Sequence, residues 1–357
     1  MTPTWRYIES NGVAHSTGLA ADEWLMTAGE PVLRLYTYRS HCALVGKFQN
    51  LEAEIDLDFC READIGVNRR PTGGGAILMG EGQLGIAVIH SSRAAGVPQH
   101  PKEIFARYGR AIMAGLERLG VRGDLEAKND IRVAGRKIAG LGVCRDESGT
   151  FLFHTSLLVD LDVDLMLRVL KIPAEKISDK LRARVADNLT TVRREVGRPM
   201  PMAEVREAIR EGFAAAEGVR FERRDVSTDE MDGVRRLEEE KYLQPSWVDR
   251  RVPSPDTNGR SIRKTPQGLL RLYLALAGEH IKDIAITGDF AEDEAVGALE
   301  KRLASARADE SVIRDAVSAE GLPADFAAAI LDAVADARRS NPYGCFLDAK
   351  TGSDNFS

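Results

Sequence analysis

The sequence has few of the residues that mark secreted and metal-binding proteins. Its 357 residues include four cysteines, Cys42, Cys60, Cys144 and Cys345, and no two are spaced as C-x-x-C. This pattern predicts a reduced chain without a disulfide framework or a zinc site. The six histidines are equally scattered, which argues against a transition metal held by protein ligands.

Long apolar runs and basic stretches are missing as well. No segment reaches the roughly 18–20 apolar residues that a membrane span needs. The first ten residues, MTPTWRYIES, do not have the pattern of a secretion signal. A net charge of -6 argues against nucleic-acid binding, which relies on basic surface. We therefore expect a cytoplasmic monomer that binds neither nucleic acid nor membranes.

The chain is longer than one hydrophobic core usually supports, so we expect two domains. Hydrophobic periodicity predicts an α+β first half. Its strands lie at 31–48, 83–91 and 129–161, and its helices at 51–65, 101–119, 162–171, 179–188, 201–216 and 229–242. A proline-rich polar stretch follows, and then a smaller α+β unit with two strands at 268–288 and helices at 293–303, 310–320 and 323–339. The expected boundaries are a catalytic domain at 1–245, a linker at 246–260, an accessory domain at 261–340 and a tail at 341–357.

One segment, RRPTGGGAILMG at 69–80, places two arginines before three consecutive glycines. Arginine guanidinium groups bind phosphate or carboxylate as forks. Glycines allow a backbone to approach a ligand closely, although they also serve in ordinary flexible turns. The segment matches neither the P-loop pattern nor the dinucleotide-binding pattern of glycines.

A second segment, KNDIRVAGRKIAG at 128–140, carries Asn129 and Asp130 before one predicted strand and Lys137 on the next. Small residues follow Lys137. A lysine at such a position is commonly a solvated residue of an edge strand. Taken with the glycine segment, it is a candidate for a fixed charge beside a substrate.

These segments, together with FLFHTSLL at 151–158 and VGKFQN at 45–50, resemble the signature segments of the lipoate–protein ligase A family in order and spacing. The resemblance covers essentially the whole chain, including the accessory domain of two-domain bacterial ligases. It implies a mixed-sheet catalytic domain of the biotin/lipoate ligase type. It also implies that MgATP activates lipoate to lipoyl-AMP, with transfer to a lysine of an acceptor such as an H protein or an E2 subunit.

The resemblance also implies roles for individual residues. Lys137 would be catalytic, between the lipoate carbonyl and the α-phosphate. Asn129 and Asp130 would line the phosphate side, with Mg²⁺ held by Asp130 and the ATP phosphates. The remaining residues are expected to bind ATP or lipoate: for ATP, Arg70, Gly75, Ala76, Ile77, Leu78 and Lys137; for lipoate, Arg70, Thr72, Gly73, Gly74, Gly75, Lys137 and Gly140.

Two departures from the family pattern stand out. The family usually has His-Asp where this chain has Met79–Gly80, so a polar network is expected to be lost or rebuilt, with Glu81 the nearest replacement. The family segment His-His-Gly-Thr reads Phe153, His154 and Thr155 here, with the glycine absent. No catalytic role for His154 follows, and a structural role fits it at least as well.

Two alternatives keep the fold but change the chemistry. Related octanoyltransferases form an acyl-enzyme on cysteine and use no ATP, which requires a thiolate near the lysine. Cys144 is seven residues beyond Lys137, and an odd offset predicts opposite faces of a strand, so we interpret Cys144 as a core residue. The second alternative is a protein that binds lipoate or a lipoyl domain without adenylating it.

Overall fold

The computed structural model describes residues 2–91, 93–94, 96–126, 129–171, 187–250, 253–266, 268–290 and 293–340. The chain divides into two compact units. The first comprises residues 1–45, 52–72 and 76–248, and the second comprises 46–51, 73–75 and the chain from 249 onward. The predicted helix at 179–188 lies outside the described residues except for its last two positions. Lys128 and Cys345 also lie outside them.

Strands β1 to β11 belong to the first unit. They are β1 (Thr4–Val13), β2 (Val32–Tyr38), β3 (Cys42–Val45), β4 (Gly66–Arg69), β5 (Ile77–Met79), β6 (Gln83–Ser91), β7 (Asp124–Glu126), β8 (Asp130–Val133), β9 (Arg136–Arg145), β10 (Thr150–Leu158) and β11 (Arg220–Arg223). In the described part of the chain, eight of them form a mixed sheet in the order β11-β1-β2-β6-β10-β9-β8-β7, and β4-β3-β5 form a smaller one. In the large sheet, β1 is parallel to β2 and β11, whereas the other neighbouring strands, in the order β2-β6-β10-β9-β8-β7, pair antiparallel. In the smaller sheet, β3 is parallel to β4 and antiparallel to β5.

The described helices of this unit are mostly short. They are α1 (His15–Trp24), α2 (Leu51–Glu54), α3 (Leu57–Glu62), α4 (Pro101–Arg118), α5 (Val163–Val169), α6 (Val192–Val196), α7 (Met202–Glu217), α8 (Thr228–Leu237) and α9 (Pro245–Val248). A 3₁₀ turn (Leu25–Ala28) follows α1, and a π-helical turn (Glu238–Tyr242) follows α8. The predicted helix at 51–65 is therefore two short helices, α2 and α3.

The long helices form where the sequence pattern is strongest. Pro101 occupies the first turn of α4, where its missing N–H costs nothing. Ile104, Tyr108 and Ile112 of α4 are buried at helical spacing and pack on one face of the large sheet. The opposite face of the sheet packs on α1 and on residues from α8 and the π-helical turn. The sheet is thus a central layer whose two faces carry separate apolar clusters.

The second unit has a sheet of its own. Among its described residues, β12 (Gly259–Thr265), β13 (Gly268–Ala277) and β14 (His280–Gly288) form an antiparallel meander. Helices α10 (Asp293–Leu303), α11 (Glu310–Ala319) and α12 (Ala324–Ser340) share its apolar core. β12 is not predicted from the sequence, because its one large apolar residue, Ile262, is exposed and the strand therefore has no apolar face.

Candidate acyl-transfer site

Lys137 lies near the start of β9, and a β-bulge sets the direction of its side chain. Ile131 of β8 pairs with Ala139, whereas Arg132 pairs with Lys137, so Ile138 is the extra residue. Both Ile138 and Ala139 are buried in the same apolar cluster. The bulge therefore interrupts the strict alternation of a strand and places Lys137 on the face that Gly140 occupies.

The ammonium of Lys137 is held in place by a carboxylate. Its Nζ lies 2.7 Å from Oδ1 of Asp130, and Arg132 contacts the other oxygen of that carboxylate at 3.3 Å. Gly140 lies directly beneath, because a Cβ atom there would be 2.7 Å from the lysine Nζ. The arrangement fixes a positive charge over a backbone that has no side chain.

Asn129 braces the strands around this lysine. Its side-chain amide donates to the carbonyl of Leu141 at 2.8 Å, and its own carbonyl accepts from the Leu141 N–H at 2.7 Å. The main-chain N–H of Lys137 donates to Asn188. Asn129 therefore braces the backbone of β9, and its place on the phosphate side of a substrate stays a prediction.

The described residues around Asp130 do not build a cation site from protein ligands alone. The Asp130 carboxylate is already engaged by two cationic side chains. No group of three or more His, Cys, Asp or Glu side chains in the described part of the chain could hold a metal ion. Asp130 thus serves to orient Lys137 in this structure.

Arg70, Thr72 and His154 form a second polar cluster. It lies over Gly142, which is two residues beyond Gly140 on the same face of β9. Thr72 Oγ1 lies 2.6 Å from Nε2 of His154, and both side chains are buried. A Cβ at Gly142 would lie 3.1 Å from both of them. Burial, with a smaller contribution from the Arg70 charge, lowers the pKa of His154 to about 3. His154 is therefore neutral near pH 7, and its imidazole braces the Thr72 loop.

Small residues separate the two polar clusters from an aromatic ring. Gly140, Ser156 and Gly85 are neighbours across β9, β10 and β6. Tyr36 of β2 is the next in this row, and its ring lies against Gly85, since a Cβ there would be 2.4 Å away. Gly140 and Ser156 are partly exposed. The row therefore has no large side chain between Lys137 and Tyr36. Sequence reasoning missed Ser156 and Tyr36, because nothing local marks their shared row.

The two arginines of RRPTGGGAILMG have different surroundings. Arg69 is fully buried, and its guanidinium donates to the carbonyls of Trp247 and Val248 at 3.0 Å. The Trp247 indole N–H donates back to the Arg69 carbonyl, also at 3.0 Å. Arg69 therefore anchors β4 to the end of the first unit. Arg70 reaches the Leu44 carbonyl at 3.1 Å and lies near His154.

The glycine triplet belongs to the second unit. A Cβ at Gly46 would lie 2.1 Å from the carbonyl oxygen of Gly74, so these two backbones touch. Gly74 also has φ of +94°, which favours glycine. Gly75 precedes Ala76, and β5 then carries Ile77 and Leu78 along β3. The structure thus brings Arg70, Thr72, Asp130, Lys137 and Gly140 to one face of the first unit. Gly73 to Gly75 stand in the other unit.

The Met79–Gly80 departure has a structural counterpart. Met79 is buried in the apolar cluster that contains Leu44. The ring of His41 lies over Gly80, at 2.8 Å from where a Cβ would be. An imidazole from the turn between β2 and β3 therefore lies beside Gly80, the position where the resemblance implies an aspartate. Glu81 is exposed at this point.

Our expectation that Cys144 and Lys137 point to opposite faces was wrong. Gly140, Gly142 and Cys144 alternate along β9, and the bulge at Ile138 brings the lysine to their side. However, Cys144 lies four residues beyond Gly140, about 13 Å along an extended strand. Its thiol packs beside an apolar cluster, so it does not meet the ammonium of Lys137.

Comparison with protein families identifies the fold. The family model "Lipoyl protein ligase A/B catalytic domain" matches residues 15–214. The chain belongs to the lipoyl protein ligase A/B family. A second model, "Bacterial lipoate protein ligase C-terminus", matches residues 254–337. The predicted family and the predicted mixed α+β fold with a smaller C-terminal domain are confirmed.

Three similar proteins bear on which reaction the chain catalyses. The octanoyltransferase LipM of Carboxydothermus hydrogenoformans is 30% identical over 273 residues, covering 69% of this chain and 98% of the relative. LipM of Bacillus subtilis is 28% identical over 272 residues, which cover 68% of this chain and 97% of that relative. A solved structure of a bi-partite lipoate protein ligase and its E2 lipoyl domain from Thermoplasma acidophilum matches at 26% identity with a TM-score of 0.63. The match covers 71% of this chain and 99% of that chain.

The expected ATP-dependent, AMP-forming ligase is therefore wrong as a description of this chain. The curated relatives are octanoyltransferases, which agrees with our alternative, and they support an enzyme that modifies proteins with a lipoate-related acyl group. The ATP-binding and magnesium roles that we assigned to Arg70, Asp130, Lys137 and residues 75–78 depended on that ligase chemistry. No helix in the described part of the chain is long and apolar enough to cross a membrane.

Proposed function

We propose that the chain is an acyltransferase that moves an octanoyl-type group from an activated donor to a lysine of a lipoyl-acceptor domain, without ATP. Support comes from the octanoyltransferase relatives. The single structural observation that carries the proposal is the ammonium of Lys137, held by Asp130 over the bare backbone of Gly140.

The chemistry defines the donor class. A free carboxylate does not form an amide with an amine unless it is first activated. Without ATP, the acyl group has to arrive activated, and we propose a thioester. The acceptor lysine nitrogen attacks the acyl carbon, the C–N bond forms and the C–S bond breaks. The sulfur leaves as a thiol and takes the proton that the amine gives up.

Lys137 acts on the carbonyl oxygen of that thioester. Negative charge grows on this oxygen as the amine attacks, and a fixed ammonium stabilises the charge more than it stabilises the ground state. Asp130 keeps the ammonium oriented, so little reorganisation is needed at the moment of reaction. We place the acyl chain along Gly140 and Ser156, with the Tyr36 ring at its far end.

The remaining site residues have supporting roles in this proposal. Arg70 and Thr72 bind the polar part of the donor, with His154 bracing Thr72. Asn129 holds the backbone of β9. The glycines at 73–75 permit the close backbone approach to Gly46 within the second unit.

The acceptor is proposed to be a lipoyl domain, of the H-protein or E2 type. The Thermoplasma structure pairs a related ligase with an E2 lipoyl domain. We also propose a cytoplasmic monomer with a catalytic domain at 1–245, a linker at 246–260, an accessory domain at 261–340 and a tail at 341–357.

The test compares two donors. The purified chain is incubated with an apo lipoyl domain and either octanoyl thioester without nucleotide or free octanoate with MgATP. Intact-mass spectrometry then measures octanoylation of the acceptor. We expect transfer from octanoyl thioester without nucleotide, and no transfer from free octanoate with MgATP. Transfer that requires octanoate and MgATP would overturn the proposal, and binding of the acceptor without transfer from either donor would support a binding protein.

A further inference from the structure

Residues 188–190 hold the main chain of Lys137. The Lys137 N–H donates to the Asn188 carbonyl at 2.8 Å, and the Lys137 carbonyl accepts from the Thr190 N–H at 2.9 Å. Leu189, between them, forms a parallel bridge with Lys137. β10 does not supply these bonds, because its pairing begins two residues further along β9. The segment therefore extends the sheet at the residue that carries the ammonium.

The carboxylate of Glu195 holds residues 188–190 in place. Its Oε1 accepts hydrogen bonds from the Thr190 hydroxyl and, at 2.9 Å, from the guanidinium of Arg136. Thr190 is buried, and the Glu195 side chain is only 15% exposed. Hydrogen bonds to a carboxylate are stronger than those between neutral groups, and little exposure limits competition from water. Glu195 therefore links the residue before Lys137 to the residue whose N–H binds the Lys137 carbonyl.

The helix that carries Glu195, α6, is itself fixed to the rest of the unit. Val192 is fully buried in the apolar cluster that α4 shares with the large sheet. The Arg193 N–H donates to the Val159 carbonyl at 3.0 Å, and the Thr191 side chain caps the helix. A helix of five residues is not stable by itself, so these contacts determine its position. Glu195 therefore projects from an anchored base.

The Lys137 ammonium is thus positioned from two ends. Asp130 holds the tip of the side chain, and residues 188–190 hold the main chain from which it projects. The second support lies beside the bulge at Ile138, where regular pairing with β8 is interrupted and does not set the direction of the lysine alone. A displacement of about 1 Å at a catalytic group can lower a rate by about 10²-fold. Support of the main chain at Lys137 therefore bears on the reaction as well as on the fold.

We propose that Glu195 is a positioning residue for acyl transfer. Through Thr190 and Arg136, its carboxylate fixes the main chain of Lys137 and so the direction of the ammonium. This role rests on the proposed function, because it concerns the same lysine. Glu195 does not belong to the row along which we place the acyl chain, so its loss changes the rate of the chemical step rather than the binding of the donor.

The experiment measures single-turnover transfer from octanoyl thioester to an apo lipoyl domain by intact-mass spectrometry, with enzyme in excess and at several enzyme concentrations. Glu195→Ala is expected to lower the maximal rate about tenfold and to leave the half-saturating concentration within about twofold of the parent value. Glu195→Gln is expected to keep most of the parent rate, because its amide oxygen still accepts from Thr190 and Arg136. Glu204→Ala is the matched control, since Glu204 forms an exposed ion pair with Arg198, and it is expected to keep the parent rate.

The Lys137→Ala background separates a positioning role from a purely structural one. If Glu195 acts through the Lys137 ammonium, Glu195→Ala has no further effect on the rate once that ammonium is gone, so the two losses do not add. A purely structural role lowers the rate by the same factor in both backgrounds. Thr190→Val removes the hydroxyl and keeps the shape of the side chain. It is expected to show the same dependence on Lys137, and it keeps the test informative if Glu195→Ala fails to fold.

The parent protein distinguishes failure of the positioning role from failure of the proposed function. Suppose that the parent transfers octanoyl from the thioester. Losses of the same size in both backgrounds, or parent rates in Glu195→Ala and Thr190→Val, would then overturn the positioning role and leave the proposed function intact. Absence of transfer by the parent would overturn the proposed function, and the positioning role with it.

Discussion

Lys137 Nζ and Asp130 Oδ1 lie 2.7 Å apart, directly above the backbone of Gly140. The pair joins two neighbouring strands, β8 and β9, and it depends on the bulge at Ile138. A positive charge is thereby fixed over a glycine, which has no side chain of its own. This relationship underlies the proposed polarisation of an acyl carbonyl.

The first prediction concerns the rate of acyl transfer when the Lys137 ammonium is removed. Lys137→Ala should lower kcat for acyl transfer by about 10²–10³-fold, the usual loss when one donor to a developing oxyanion is removed. Asp130→Asn should lower it less, because the ammonium remains but loses its anchor. Arg145→Ala is the control, since Arg145 is an exposed residue at the far end of the same strand. Steady-state kinetics measure all three, and a Lys137→Ala rate equal to that of the control would contradict the assignment.

Gly140→Ala should separate activity from stability. The new Cβ would lie 2.7 Å from Nζ and 2.9 Å from Cε of Lys137, which is the far end of a flexible side chain. The lysine can therefore move aside at little cost, so the melting temperature should stay near the parent value while activity falls. Gly297→Ala provides the matched control, because its Cβ would meet nothing within 4 Å. Parent-like activity in Gly140→Ala would show that the ammonium position is unimportant.

Cys144→Ala should retain acyl transfer. The thiol shares the face of Lys137 but lies about 13 Å beyond Gly140, so one acyl carbonyl cannot reach both groups. Cys42 and Cys60 are buried, and burial raises the pKa of both thiols. The measurement is the transfer rate, together with intact mass of the enzyme after donor is added. If Cys144→Ala loses transfer and the parent carries a hydroxylamine-labile acyl group on Cys144, the direct transfer proposed here is wrong. The acyl group then passes through a covalent intermediate on Cys144.

His154 should make the free energy of unfolding depend on pH. Burial lowers its pKa in the folded chain to about 3, below the unfolded value of 6.5. Between these values the unfolded state binds the extra proton, so stability is lost as pH falls below 6.5. The loss from this residue is at most about 1.4 kcal/mol per pH unit.

Urea unfolding of the parent and of His154→Gln, at several values between pH 7 and pH 4.5, measures that contribution. The difference between the two proteins removes the contributions of His15 and His90, whose pKa values are also lowered by burial. The parent should lose stability more steeply than the variant. Parallel curves would mean that His154 is protonated in the folded chain.

The sequence predicts the long periodic elements well and the site only in part. The helix at 101–119 and the meander at 129–161 were found because apolar spacing and turn residues are local signals, and α4, β8, β9 and β10 appear there. β1, which pairs in parallel with strands distant in sequence, has no such signal. The bulge at Ile138 was also missed, because a bulge depends on the register with β8. The assignment of Cys144 to the opposite face failed for that reason.

The chemistry was predicted less well than the fold. Arg70, Asp130 and Lys137 supply charges that suit either an adenylating ligase or a transferase, so their residue types alone do not distinguish the two reactions. The relatives provide that distinction. Arg69 illustrates the same limit, since the sequence pairs it with Arg70 whereas the fold buries it against Trp247.

A competition between two donors in one tube tests the central claim most directly. The chain and an apo lipoyl domain receive unlabelled octanoyl thioester together with deuterated octanoate and MgATP, and mass spectrometry of the acceptor identifies the acyl group attached. The account predicts unlabelled octanoyl on the acceptor lysine, with Lys137→Ala slowing its appearance. Deuterated octanoyl as the main product would contradict it.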